Sequence, residues 1–587
     1  MLRRSFLLTA AAGAAGVVAS AGLGAWWRWR ELQPQVHFPG RQEGHTLRER
    51  RDWPEPSEVI NTDIVILGSG VAALTAAWQL KKHGQERFLM IEGPQLYGNA
   101  AGGVYHDAEH DREQPDGQTS WQTSEHSRGH GGEHGNPNLK ETEQTVAQTG
   151  QRGGEDYAYP TGAHYLPLPS PESTHIREML FDLGIILRDP YAEKPYYDER
   201  YILHGPEERL LINGVWQDGF VPTHGVPPGD LAQHERFFAE VERLRTLRGK
   251  DGKRVFVFPT VQSSSDPAFD WLDTISLKTW LRQSGYTAPS LHWYLNYCCR
   301  DDYGRRYDEV SAWAGLHYYC SRWGQAANAG NGAWLTWPGG LSPLAQLLDR
   351  AGGSQRRAGT AYAVKTVAGG VEARCFEWRD GRLRTFLVRA RRAVCAMPLY
   401  VAARVVEGIK AYGFAAKAHT PQYAPWLVAN FVMRRFPAEL PQVGLCWDNV
   451  VYQEPGLGFV VSTHQDIRQQ PPAKTVFTSF VALSDRSPQQ ARRWMEAASA
   501  AELLELASRD LRSAYGLELA TSVERVDITL RGHAMAAPLP GFRSNPGLRS
   551  LRELNGPILF AHADLSGFSV FEEAAWWGYR AAKLLLR

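Results

Sequence analysis

Asp63-Ile-Val-Ile-Leu-Gly-Ser-Gly-Val-Ala-Ala-Leu-Thr-Ala-Ala-Trp78, followed by Phe88-Leu-Met-Ile-Glu92, holds every part of a dinucleotide-binding βαβ unit in order. Ile64 to Leu67 reads as a short apolar strand. Gly68 permits the tight turn after it, Gly70 lets a diphosphate approach the backbone where a helix begins, and Ala73 takes the small third position. Glu92 ends the second strand about 20 residues on, where a carboxylate accepts ribose hydroxyls. A glycine triplet alone is weak, because Gly-rich strand-to-helix turns occur without ligands. Strand, helix and terminal carboxylate together make this a nucleotide-cofactor chain.

Working outward, 587 residues exceed what one core usually serves, and 43% apolar residues can fill two. Lys and Arg number 64 against 63 Asp and Glu, so no global charge draws the chain to nucleic acid. The six cysteines, Cys298, Cys299, Cys320, Cys375, Cys395 and Cys446, show no CxxC pair or zinc spacing, so no metal site is expected. Cys298 and Cys299 are adjacent, as two buried thiols or as a strained redox disulfide. At the start, Arg3-Arg4-Ser5-Phe6-Leu7-Leu8 precedes an uncharged stretch that runs to Arg28, and it resembles a twin-arginine signal. Ala19-Ser20-Ala21 offers a cleavage site, and Ser5 to Trp27 is just long enough to anchor in a bilayer if uncut. The expectation is the twin-arginine export machinery as a partner, and a periplasmic location, soluble or anchored to the inner membrane.

The rest of the chain resembles the flavin-containing amine oxidase superfamily, which includes L-amino-acid oxidases, protoporphyrinogen oxidase and phytoene-desaturase-like enzymes. After the second-strand acid that family has a Gly-Gly doublet with Arg, then a Gly-Ala-His-Trp strand. This chain has Gly98-Asn99-Ala100 and then Gly162-Ala163-His164-Tyr165, lacking the second glycine and the arginine. Trp337-Pro-Gly-Gly-Leu341, with Leu344 and Leu347, is similar to the family's helix start, and Arg392 to Pro398 to its return strand. Val364 stands where the family makes a backbone contact to adenine. Ile558 to Gly567 and Glu572 to Ala582 resemble the closing motif, with Asp564 as the ribityl ligand, Gly567 allowing close approach and Glu572 opening the helix. Such a helix N-terminus stabilises the negative charge of a reduced flavin.

The resemblance implies non-covalent FAD rather than NAD, and an α/β fold: a Rossmann-like FAD-binding domain with an interleaved α+β substrate domain. The expected plan is signal or anchor 1–30, linker 31–57, FAD-binding segments 58–106, 153–172, 336–398 and 555–587, and substrate segments 173–335 and 399–554. Residues 107–152, nearly without apolar side chains, read as a disordered insert. Its His126, His130 and His134 recur every four residues, but the intervening glycines oppose a metal-binding helix.

Trp280, Trp293, Tyr294, Tyr297, Tyr303, Trp313, Tyr318, Tyr319 and Trp323 are expected either to line a pocket or to fill a core. Asp301, Asp302, Arg305 and Arg306 either recognise a charged group or pair with one another. Many amine oxidases hold a water near the flavin with a strand lysine; Pro425 to Met433 has none, and Asn430 is its only polar residue. His164, Asn430 and His533 are therefore the candidate polar groups at the flavin edge. The reaction expected is removal of a hydride equivalent from an amine or similar small molecule, with oxygen or a membrane quinone as acceptor. A desaturase or dehydrogenase of an apolar substrate and a non-catalytic FAD-binding scaffold are the alternatives.

Overall fold

The computed structural model describes residues 28–107, 155–440 and 443–587. The expected signal, the insert and its three histidines lie outside the described residues, apart from a few flanking positions. Five strands run parallel in the order Gln355–Arg357, Phe88–Ile91, Val59–Leu67, the C-terminal half of Arg382–Cys395, and Ile558–Phe560. Ile64 to Leu67, Phe88 to Ile91 and Ile558 to Phe560 are buried throughout, as continuous apolar runs must be in a parallel sheet covered on both faces. The N-terminal half of Arg382–Cys395 leaves this layer and joins Thr360–Val367 and Gly370–Arg379 in an antiparallel meander.

Three helices pack as a group on this sheet: Val71–Lys82, Ser342–Gly352 and the closing helix Phe571–Leu585. The closing and nucleotide helices meet almost backbone to backbone. A Cβ at Gly578 would stand 2.1 Å from the Ala72 carbonyl oxygen, so only glycine fits this crossing. The chain's last helix is thereby pinned to the first turn of the nucleotide helix.

A second, mixed sheet of eight strands carries the other domain, with Val523–Ala536, Tyr423–Met433 and Thr475–Ala482 adjacent. All of Tyr423–Met433 is buried because both faces are covered. Leu427, Ala429 and Phe431 pack with Met495, Leu503 and Leu504 of the outer helices, whereas Trp426 and Val428 join an aromatic layer that includes Tyr297 and Trp447.

Two expected boundaries shift. The 31–57 stretch is not a free linker: Gln35–His37 pairs in parallel with Asp527 to Thr529, Arg41–Glu49 is helical, and the Trp53 ring stacks on Tyr362 at 4.0 Å. Apolar residues spaced through a polar stretch were enough to dock it. Ile176, Met179, Leu180, Leu399, Ala402 and Val405, assigned by sequence to the substrate domain, belong to the core around the parallel sheet.

Candidate active site

The glycine-rich turn is built as the motif requires, with each glycine present for a different reason. Gly68 has φ +119°, and a Cβ there would lie 2.8 Å from the Ala396 carbonyl oxygen, so it is demanded by the neighbouring strand. Gly70 has ordinary φ (−76°), and a Cβ there would meet nothing within 4 Å. Its lack of a side chain leaves open space at a helix N-terminus that no side chain caps, where the first-turn N–H groups attract an anion. Ala73, fully buried, lies in the same first turn. Gly98 closes the far side, with its Cβ position 3.6 Å from Gly70 Cα. The Glu92 side chain is 24% exposed, and its nearest cation, Arg356 Nε, is 3.9 Å away, which leaves its oxygens available to hydroxyl donors.

The backbone that meets the Glu92–Gly93 turn is not that of Val364. Glu92 N–H donates to the Arg357 carbonyl and Gly93 N–H to that of Gly359. Val364 lies five residues beyond Gly359, about 16 Å along an extended strand. Its carbonyl accepts from Glu407 N–H at 2.8 Å and its side chain is fully buried. The register of Gln355–Arg357 on Leu89 to Ile91 is what moves the contact upstream.

Asp564 is fully buried. Its Oδ2 accepts from Leu399 N–H at 2.8 Å and from the Tyr423 hydroxyl at 2.5 Å, and its Oδ1 lies 3.1 Å from His562 Nδ1. Burial pushes this carboxyl up, but His562, Tyr423 and the Leu399 N–H outweigh it and hold it below its ordinary value. A buried carboxylate whose oxygens can each accept a further hydrogen bond suits a ribityl hydroxyl. Gly567 plays a different part from the one expected: φ is +86°, and a Cβ would stand 2.7 Å from the Phe542 ring, so turn geometry and Phe542 require the glycine. Glu572 is buried in the first turn of the closing helix, and burial, opposed by Arg322, raises its carboxyl to about 7. Glu573 beside it accepts from Thr260 N–H at 2.6 Å and from the Ser566 hydroxyl.

Gly162 is locked against the Gly98 turn, since its Cβ would lie 2.2 Å from the Asn99 carbonyl oxygen, to which Ala163 N–H donates at 2.8 Å. The arginine missing from this region arrives from the other domain. Arg531 donates from Nε to the Thr161 carbonyl (2.8 Å) and from Nη1 to Gln95 Oε1 (3.0 Å) and Asn99 Oδ1 (3.2 Å). Sequence reading missed it because it stands 369 positions beyond Gly162, in an unremarkable strand.

The three polar candidates are dispersed. His164 stacks on Phe480 (ring centroids 4.4 Å) beside Trp447 (5.7 Å) and Tyr165 (5.0 Å), and burial pushes its imidazole down to about 3, so it is neutral. Asn430 is sealed inside the second sheet: Oδ1 accepts from the Thr478 hydroxyl at 2.7 Å and Nδ2 has no partner. His533 stacks on Tyr400 (4.5 Å) next to Tyr423, hence beside Asp564, and burial together with Arg492 pushes it down to about 4. Alternation along separate strands sends the three side chains to different compartments.

The aromatic cluster also divides. Trp280, Tyr303 and Trp313 fill the core between helices Leu277–Gln283, Pro289–Tyr303 and Ala312–Ser321, and Arg254 lies over Trp323 at 4.3 Å. Tyr294 and Tyr319 pack against both the helical core and the aromatic layer. Trp293, Tyr297 and Tyr318 face the second sheet with Tyr165, Trp334 and Trp447. All six cysteines are free and buried.

Three carboxylates lie within this aromatic layer. Glu208 and Asp448 are register partners on adjacent parallel strands and so share a face, and Asp301 comes from helix Pro289–Tyr303. Burial raises Asp301 and Glu208 to about 7 and Asp448 well above its ordinary value; Asp301 adds to the rise at Glu208 and Asp448, while at Asp301 itself Asp302 adds to it and Arg322 and Arg300 oppose it. The expected partners are engaged elsewhere: Asp302 binds Arg322, Arg305 binds Glu309 and Arg306 binds Asp308. Among the described residues, Glu208, Asp301 and Asp448 make no ion pair.

A parallel sheet with a glycine-rich strand-to-helix turn, joined to a second, mixed sheet faced by an aromatic layer, defines the architecture: it is the amine oxidase fold. No protein-family model and no curated protein matches the chain. Among solved structures, a putrescine oxidase with putrescine bound is similar over 90% of this chain and 100% of its own, at 16% identity and a TM-score of 0.56. Cyclohexylamine oxidase from Brevibacterium oxydans is similar over 89% and 98%, at 16% identity and a TM-score of 0.52.

Proposed function

We propose that the chain is an exported FAD-dependent oxidoreductase of amine-oxidase type whose substrate is a cationic amine. The observation that carries the substrate class is the set of Glu208, Asp301 and Asp448, raised carboxyls without a paired cation, among Tyr165, Tyr297 and Trp447. An apolar desaturase substrate would find three desolvated carboxyls and gain nothing from them, whereas an ammonium group satisfies them and rests on the aromatic faces. FAD is supported by the open anion site at Gly70, the carboxylate at Glu92 and the buried carboxylate of Asp564.

Bound FAD supplies the acceptor for a hydride equivalent from the C–H next to nitrogen. The protein orients the amine through the three carboxylates and excludes water with the aromatic walls. Neutral His164, at the end of the nucleotide turn, presents an uncharged polar edge that does not repel a cation. Oxygen or a membrane quinone would take the electrons onward, and the twin-arginine leader would carry the folded, loaded protein across the inner membrane.

The test is an absorption spectrum of the purified protein before and after anaerobic addition of mono- and diamines. Flavin bands that bleach with diamines support the reading. A folded protein that cannot be reconstituted with FAD removes it, and bleaching by apolar alcohols or alkenes alone reassigns the substrate.

A further inference from the structure

Among the described residues, the half-buried guanidinium of Arg531 is a charge in the cradle region without a paired carboxylate. It is fixed by four hydrogen bonds, to the Thr161 carbonyl and hydroxyl, Gln95 Oε1 and Asn99 Oδ1. Every one of those acceptors is neutral. Burial pushes its pKa down to about 10, and among the described residues no carboxylate opposes the shift. A guanidinium has five N–H groups, so one donor remains together with the whole positive charge. Its position is specific. Asn99 adjoins Gly98, which closes on Gly70, and Gln95 lies on the loop whose Tyr97 N–H donates to the Ser69 carbonyl. Arg531 therefore reaches across from Val523–Ala536 of the second sheet to the rim of the open space before the nucleotide helix.

Resting on the FAD reading above, we propose that the diphosphate of the dinucleotide is the counter-ion of Arg531, so that cofactor loading and docking of the substrate sheet are a single event. The cradle then has two halves: the first-turn N–H groups of Val71–Lys82 from one domain, and a cation from the other. This arrangement replaces an arginine carried within the glycine turn itself, which this chain lacks. Buried guanidinium next to anion satisfies both groups, while either alone bears the desolvation cost.

The experiment titrates apo-protein with FAD and, separately, with ADP, for wild type, Arg531→Lys, Arg531→Met and Asn99→Asp, with far-UV circular dichroism confirming the fold of each. Loss of a charge-assisted hydrogen bond predicts about 10- to 100-fold weaker binding of both ligands to Arg531→Met, and Arg531→Lys is expected to recover most of it. Asn99→Asp keeps Arg531 but supplies an internal carboxylate, so it should weaken both ligands as well; it guards against misfolding of the arginine variants. In hydrogen exchange, FAD should protect the amides of 529–536 in wild type and fail to do so in Arg531→Met. Wild-type affinity in Arg531→Met overturns the proposal, and weakened FAD with unchanged ADP places the guanidinium at the flavin instead and overturns it too. Wild type that binds no FAD at all refutes the functional reading beneath it, a separate result.

Discussion

Replacing Asp448 by Asn isolates the pocket from the cofactor. Asp448 lies beside Glu208 in parallel register and within electrostatic reach of Asp301, so the substitution preserves shape and removes one of three clustered carboxyls. An ammonium that has exchanged water for a carboxylate loses a charge-assisted hydrogen bond, about 1.5–3 kcal/mol, so kcat/KM for the best cationic substrate should fall by about 10- to 150-fold. The ligand-free protein should respond in the opposite sense. A carboxyl whose folded pKa lies above its unfolded value holds its proton longer when folded, so stability is highest at low pH and declines as pH rises through the folded pKa. For Asp301 and Glu208 that decline runs from their ordinary pKa to about 7; Asp448 is itself raised well above its ordinary value, so Asp448→Asn removes its own share of the decline and should flatten the slope. The assays are initial rates across a diamine series and urea unfolding at pH 5, 6, 7 and 8. An unchanged kcat/KM with an unchanged pH slope would refute the reasoning, as would equal losses on cationic and neutral substrates.

Gly70→Ala adds a Cβ into empty space and should change apo-protein stability by less than about 1 kcal/mol while abolishing FAD retention, whereas Gly68→Ala, strained in φ and 2.8 Å from Ala396 O, should lower the unfolding midpoint; dye-monitored melting with and without FAD separates the two. Gly578→Ala forces the closing helix from the Ala72 carbonyl and should cost at least about 1–3 kcal/mol, read as a lower urea midpoint. Tyr423→Phe removes a donor from buried Asp564 and should raise its pKa, so FAD affinity, measured by fluorescence, should weaken as pH falls from 7 to 5 more than in wild type.

The cofactor cradle was legible because its parts are close in sequence and each carries a backbone requirement. Gly68, Gly70 and Glu92 read out the strand, turn and helix from 29 residues, Asp63 to Ile91, and the acid that follows. The closing helix was legible through its resemblance to the family's closing motif, and the structure adds that Gly578 lets it pack closely on Ala72. For Val364 and Gly567 the resemblance supplies only an approximate offset, while strand register sets Arg357 and Gly359 against the Glu92 turn and a single ring, Phe542, faces Gly567. A stretch such as 31–57 looks like a linker by composition, yet three residues of strand and one stacked tryptophan suffice to bind it.

The pocket was illegible because no segment contains it. Glu208, Asp301 and Asp448 come from a strand, a helix and a second strand spread over 241 positions, and none is unusual where it stands. What distinguishes them is an absence visible only in three dimensions: Arg322, the cation nearest in chemistry, is already committed to Asp302, and Arg300 donates to backbone carbonyls of Pro455 and Gly456. Arg531 shows the same logic with the sign reversed, a cation whose partners are all neutral. Stable folds pair their buried charges, so unanswered charges of opposite sign in the two halves of one interdomain site mark where ligands of opposite sign belong, an anion under the helix N-terminus and a cation among the aromatics. On the function proposed above, oxidation of an amine by a dinucleotide flavin would bring an anion and a cation to those two charges.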